Sequence, residues 1–418
     1  MRGSGECGTR SQGYDRRKGK IHLEHLTALN EKLHSLVIFR NLLLDETLGK
    51  LPALLEMSGS MAEKLTAYSS FASSLFREGG NLTDCVWSRI ASDENFYVLR
   101  RARKEVVDPI LDESLANELA ILREIALLTG REVKDAISYP GYLPEWKTRE
   151  ADFSADYERL LQNICVSGFG MFAAHTMFSV VNAEIVPVRC PDPVRLIDLK
   201  GYERERKAVV DNTRALLSGK PAANALLYGD AGTGKSSTIK AVVNEYAAKG
   251  LRLIEIRKSQ LMDIPAVVSS LMGNPLKFIL FIDDLSFAQN SEEIGALKAI
   301  LEGAASARTA NVAIYATSNR RHIVSEKFSD RGDDEIHRNE TIQEQVSLSQ
   351  RFGLAVSFLK PDRAQYLSIV RALAQQYGVR DISDLDLMAE RCAIERGGRS
   401  PRVAKQFVEA LKSMEEEP

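Results

Sequence analysis

Residues 224–236 read Asn224-Ala225-Leu226-Leu227-Tyr228-Gly229-Asp230-Ala231-Gly232-Thr233-Gly234-Lys235-Ser236. The short apolar run predicts a strand, and the residues that follow complete a GxxxxGK[ST] pattern. Ser237 to Lys249 then has helical character. Strand, glycine-rich loop and helix in that order make a phosphate cradle. The glycines let the backbone turn tightly, so that its N–H groups converge on phosphate oxygens. The helix N-terminus adds partial positive charge. Gly229, Asp230, Ala231, Gly232, Thr233, Gly234, Lys235, Ser236 and Ser237 are therefore the candidate nucleotide-binding residues. Lys235 suits the β- and γ-phosphates, and the Ser236 hydroxyl suits a magnesium ion. A chance match in a chain of this size is on the order of one in a hundred, so the pattern carries weight.

Two further strands end in polar residues. Lys277-Phe278-Ile279-Leu280-Phe281-Ile282-Asp283-Asp284 describes a buried central strand whose carboxylates emerge at its C-terminal end, where ligands of such sheets bind. Asp283 is the candidate magnesium ligand, and Asp284 the residue that orients and polarises an attacking water. Val312-Ala313-Ile314-Tyr315-Ala316-Thr317-Ser318-Asn319 is a second such strand, followed by Arg320, Arg321 and His322. Its polar tip suits a place between the γ-phosphate and the water. Ser347 to Gly353 then presents Arg351 before a short strand, Leu354 to Phe358. Three helical segments run from Pro361 to Met414. The last opens with Ser400 as its N-cap, Pro401 at the first helical position and Arg402 in the first turn.

In this order the residues resemble the AAA+ ATPases. Gly229 to Ser236 is similar to Walker A, Phe278 to Asp284 to Walker B, Asn319 to sensor 1, Arg351 to the arginine finger and Arg402 to sensor 2, with Arg399 its rival. The run Asn224 to Phe358 more closely resembles an uncharacterised bacterial AAA+ family catalogued as a domain of unknown function, and Pro144 to Asn212 resembles the same family. The resemblance implies an α/β P-loop fold with a C-terminal helical lid, preceded by a mainly α-helical N-terminal region. It implies ATP and Mg²⁺ as cofactors, with Asp284, Asn319, Arg351 and Arg402 in catalysis. It also implies a homo-oligomer, a ring or arc such as a hexamer, because an arginine from a neighbour usually completes the site. The family usually carries Asp-Glu where this chain has Asp283-Asp284. Lengthening Asp284 to Glu is therefore expected to preserve or raise turnover.

Outward from the motif, the apolar spacing of Leu26, Leu29, Leu33, Leu36 and Leu43 is helical, as is that of Leu115, Leu119 and Leu122. Ser138 to Pro144 is turn-rich, and Pro187, Pro191 and Pro193 mark a second linker. The expected organisation is a disordered basic arm over 1–20, a helical N-terminal domain over 21–137 and a helical connecting region over 145–193. The AAA+ α/β domain follows over 194–360 and the helical lid over 361–418. Leu160 to Ala183 carries no Asp, Glu, Lys or Arg, yet its polar residues suit a buried helix, so no membrane span is expected. Ser325 to Gln345 is dense in charge and reads as a solvated loop.

Composition bounds the function. The chain has 418 residues, 44% hydrophobic, with 55 Lys+Arg against 57 Asp+Glu. A net charge of −2 excludes a dominating basic field, so nucleic acid as a partner has only Arg320 and Arg321 in its favour. Five widely spaced cysteines without a CxxC fit a reducing, cytoplasmic setting. No Asn-Lys-x-Asp occurs, which argues against a GTPase. Three readings stand: an ATPase that performs conformational work on an unidentified protein partner, a nucleotide-gated scaffold with little hydrolysis, and a loader acting on nucleic acid or its enzymes.

Overall fold

The computed structural model describes residues 9–56, 58–285, 295, 297, 299–301, 311–319, 351–380 and 383–416. They fall into two compact units, Met1–Ala174 and His175–Pro418.

The first unit is helical. Its helices are α1 (Thr9–His34), α2 (Leu51–Leu55), α3 (Met61–Arg77), α4 (Leu82–Ser92), α5 (Phe96–Ala102), α6 (Pro109–Ala126), α7 (Gly130–Ile137), α8 (Phe153–Gln162), α9 (Ile164–Ser167) and α10 (Met171–Ala174). Local chemistry sets the starts: Ser60 with Glu63 and Thr129 with Glu132 form capping boxes on α3 and α7. The apolar stripe of α1, Leu26, Leu29 and Leu33, enters one core with Phe71, Leu75, Leu119 and Leu122. After α1 the chain turns through Val37, Ile38 and Phe39. Their three N–H groups donate to the buried Glu118 carboxylate at 2.9 to 3.1 Å.

Two expectations need correction here. Helix α1 begins at Thr9, so residues 9–20 are helical and not an irregular arm. Arg and Lys propagate a helix well, and extending one already nucleated downstream costs far less than starting one. The uncharged run Leu160 to Ala183 is not one helix. It breaks at Gly168-Phe169-Gly170, and Met177 to Val181 is a strand, as its aromatic and β-branched residues favour. No described helix is long and apolar enough to cross a membrane.

Among the described residues the second unit is built on a seven-stranded sheet: β1 (Met177–Val181), β2 (Glu184–Pro187), β3 (Ala225–Gly229), β4 (Leu251–Ile256), β5 (Lys277–Ile282), β6 (Val312–Ser318) and β7 (Leu354–Phe358). The spatial order is β2-β1-β4-β5-β6-β3-β7. Among the described strands only β1 and β2 pair antiparallel, joined through Asn182 and Ala183, both at positive φ. The other pairings are parallel. Strand β5 is fourth of seven, and Phe278 to Ile282 are fully buried, as their unbroken apolar run requires. The register sets Ile282 beside Ala316 and Tyr228 beside Ser318, so β3, β5 and β6 end together. Helices α11 (Glu203–Leu217) and α12 (Lys235–Tyr246) contribute Val209, Leu216, Ile239 and Val243 to the core beneath. After α13 (Ile264–Ser270) and the later strands come α14 (Arg363–Tyr377), α15 (Leu385–Glu395) and α16 (Pro401–Glu416). These three form their own small core around Tyr366, Val370, Ala404 and Val408.

Candidate nucleotide-binding site

Gly229 ends β3, and a side chain there would lie 2.2 Å from the Phe358 carbonyl oxygen of β7. Only glycine fits that approach. The chain is then held down twice: Asp230 N–H donates to Phe358 O at 2.9 Å, and Lys360 N–H donates to the Asp230 carboxylate at 2.8 Å. Gly234, at φ 92°, turns the loop into α12, whose first residue is Lys235.

Lys235 Nζ donates to Gly229 O at 2.9 Å, Asp230 O at 2.7 Å and Asn319 Oδ1 at 3.0 Å. Burial draws its ammonium below the ordinary lysine value, with the Asp230, Asp284 and Asp283 carboxylates offsetting part of that shift. Asn319 Nδ2 in turn donates to Asp284 Oδ1 at 2.8 Å. Beside this chain, Ser236 Oγ donates to Asp283 Oδ1 at 2.6 Å. Asp284 has φ 51°, a left-handed backbone that aspartate tolerates better than longer side chains do.

These groups line one side of a cavity of about 470 Å³. Its other walls are Asp192, Val194 and Leu199, which precede α11, together with Ile369, Arg402 and Lys405 on α14 and α16. Asn244 of α12 pins the first wall, donating to the carbonyls of Asp192 and Val194 at 2.8 Å each. At the loop itself, Arg402 N–H donates to Gly232 O at 3.2 Å, and a side chain at Gly232 would meet Ser400 Oγ and Arg402 Cβ at 3.2 and 3.3 Å. The Ser400 hydroxyl accepts from Val403 N–H at 3.2 Å, the N-cap the sequence predicts.

The structure thus brings Lys235, Ser236, Asp283, Asp284, Asn319 and Arg402 to one cavity. Arg399 goes elsewhere: it is bound by Glu390, Nη2 to Oε2 at 2.6 Å. Arg351 lies just before β7, at the N-terminal end of the parallel strands, whereas the loop leaves β3 at the C-terminal end. It is not among the residues that line its own chain's cavity. Arg320, Arg321, His322 and the charged segment Ser325 to Gln345 lie outside the described residues. Sequence reasoning missed the wall before α11, because prolines there read only as a linker, and it missed Thr317, hidden inside an apolar strand.

The donor set fits magnesium. Ser236 Oγ and Asp283 Oδ1 are hard oxygen donors already converging at the end of the loop, beside the amide cradle for phosphate. A hexacoordinate ion that keeps several waters and takes phosphate oxygens needs little more from the protein.

Residues 172–415 match the family described as "Protein of unknown function (DUF815)". That is more than half of the chain. The chain belongs to the DUF815 family. The match opens at residue 172, so Pro144 to Met171, which the sequence suggested as part of the same family, stands before it. The DUF815 region carries the α/β P-loop NTPase fold of the AAA+ ATPases, with its parallel sheet and C-terminal helices. The replication factor C large subunit of Thermofilum pendens is 31% identical over 134 residues, which are 30% of this chain and 32% of that protein. That of Staphylothermus marinus is 30% identical over 117 residues, 26% of this chain and 27% of that protein. The chain spans about a third or less of the length of these curated relatives. Among solved structures, the Thermotoga maritima RuvB Holliday junction branch migration motor is similar at 18% identity and a TM-score of 0.36, covering 53% of this chain and 65% of that one.

Proposed function

We propose that this chain is a Mg-ATP-dependent ATPase of the AAA+ type, which couples binding and hydrolysis to movement of its C-terminal helices and to work on a protein partner. The observation that carries the reading is the continuous polar chain Lys235–Asn319–Asp284, flanked by Ser236–Asp283, at one end of a cavity that Arg402 closes. Residues 229–237 hold the triphosphate through backbone N–H groups, and Lys235 exchanges its carbonyl partners for the β- and γ-phosphates. Ser236 and Asp283 hold magnesium, which when bound screens the phosphate charge. Asp284 accepts a hydrogen bond from the attacking water and orients it, and Asn319 keeps that carboxylate in place. Arg402 reports the γ-phosphate to α16, whose backbone already touches the loop at Gly232.

Arg351, remote from its own cavity, serves the site of a second copy, so the active form is a homo-oligomeric ring or arc in the cytoplasm. A finger of this kind is worth about 10³–10⁵ in rate. The partial likeness to replication factor C supports a second form of the reading, in which the work is done on nucleic acid or its enzymes. The test is steady-state phosphate release by the purified chain, alone and with DNA added, beside Lys235→Ala. Magnesium-dependent release that Lys235→Ala abolishes is the expected result, and stimulation by DNA selects the second form. Release that survives Lys235→Ala defeats the reading.

A further inference from the structure

Thr317 is only 2% exposed and lies behind the two carboxylates, in contact with the turn that leaves β5. Its hydroxyl donates to Asp283 Oδ1 at 2.5 Å and accepts from Asp284 N–H at 2.9 Å. Its backbone carbonyl accepts from Leu285 N–H at 2.7 Å. One residue of β6 therefore grips three successive residues that leave β5. A hydroxyl offers one donor and accepts as well, and here both capacities are used on the two carboxylate residues.

The grip answers a need. Asp284 adopts a left-handed backbone, which a side-chain-bearing residue holds only when its surroundings fix it. Asp283 Oδ1 receives three donors: Thr317 Oγ1, Ser236 Oγ at 2.6 Å and Asp284 N–H at 3.1 Å. Of these, Ser236 alone belongs to the phosphate loop and turns to a cation when one binds. Thr317 and the Asp284 N–H remain on the oxygen and keep the carboxylate aimed.

We propose that Thr317 is a positioning residue, whose hydroxyl clamps the turn 283–285 so that Asp283 faces Ser236 while Asp284 faces Asn319. This rests on the reading of Asp283 and Asp284 as the metal-binding and water-orienting groups. The clamp acts on the metal step and the chemical step, and leaves the phosphate cradle alone.

Thr317→Val keeps the shape and the strand preference and removes the hydroxyl, while Thr317→Ser keeps the hydroxyl. The measurement is binding of a fluorescent ATP analogue titrated with magnesium and repeated in EDTA, followed by turnover and by thermal unfolding without nucleotide. For Thr317→Val the half-saturating magnesium rises about 10-fold and kcat falls about 10- to 100-fold, the scale seen when the partner of a metal ligand is lost. Affinity in EDTA and the unfolding temperature stay at the parent's values, and Thr317→Ser restores both lost quantities to within about threefold. A Thr317→Val protein with the parent's magnesium dependence overturns the clamp alone. Loss of nucleotide binding in EDTA, or a lowered unfolding temperature, makes Thr317 merely structural and also overturns it. A parent chain whose nucleotide binding ignores magnesium defeats the metal-site reading, and the clamp falls with it.

Discussion

Glu118 and Lys235 are charges of opposite sign buried to nearly the same depth, 3% and 6% exposed. Their surroundings differ. Glu118 accepts from three successive backbone N–H groups just after α1, and all its donors are fixed by the fold. Lys235 borrows two carbonyls of its own loop and the amide of Asn319, and it faces a cavity. Burial of a charge is costly in both places, and complete pairing is what makes it tolerable. The difference lies in whether a ligand can supply the same pairing. A phosphate can replace what holds Lys235, and nothing small can replace what holds Glu118. A saturated buried charge is architecture, and a buried charge with replaceable partners beside a void is a site.

That contrast can be broken or sharpened in four ways, in falling order of effect. Arg351→Ala is expected to bind ATP like the parent and to lose about 10³-fold or more in turnover. Mixed with Lys235→Ala it regains activity in exchanging oligomers, because some interfaces then pair an intact loop with an intact finger. Full turnover by Arg351→Ala alone sinks the shared site. Next, Asp284→Asn should retain ATP and lose about 10²–10⁴ in rate, as removal of a group that handles the water's proton implies. The structure also reverses the expectation for Asp284→Glu. At φ 51° the longer side chain is less at ease and loses its fit to Asn319 Nδ2, so turnover should fall below the parent's. A faster Asp284→Glu protein in the same phosphate-release assay restores the sequence-based view.

Lys235→Ala comes third, with Mg-ATP affinity reduced about 10- to 100-fold, the worth of one charge-assisted contact. Calorimetric titration measures it, with thermal unfolding in the absence of nucleotide as the check on the fold. Glu118→Gln is the smallest and the mirror image. It turns an amide donor toward backbone N–H groups, costs about 1–3 kcal/mol of stability, and leaves nucleotide affinity alone in the folded protein. If Glu118→Gln shifts ATP binding while stability holds, the division between architecture and site is wrong.

The placement of the candidate site was largely legible because its residues obey strong local rules. Gly229 to Ser236 needs those residue types in that order, and β5 and β6 announce themselves as apolar runs that end in acid or amide. The lid helices were equally readable, since Ser400-Pro401 is a helix start by composition alone. Sequence could not choose between Arg399 and Arg402, as both flank the same start. In the fold Glu390, nine residues before Arg399 on α15, takes that guanidinium, whereas Arg402 lines the cavity. The strand at Met177 to Val181 was lost for a different reason. Its few residues follow a long uncharged stretch, and pairing with β4, where Met177 meets Leu253, is what makes them a strand. The same holds for the wall before α11, where Asn244, fifty residues later in the chain, donates to the carbonyls of Asp192 and Val194.

The position of β5 has a consequence for endurance. Amides at the middle of a sheet exchange with solvent only when the whole unit opens, whereas an edge such as β2 can fray by itself. Asp283 and Asp284 hang from the central strand, the one expected to open last. Transient opening of the β1–β2 hairpin, or of the strands beside it, therefore leaves the carboxylates anchored. In a hydrogen-exchange time course the slowest-labelling peptide of this unit should be the one that carries residues 278–282, so that the two carboxylates keep their place in molecules already loosened at their rim.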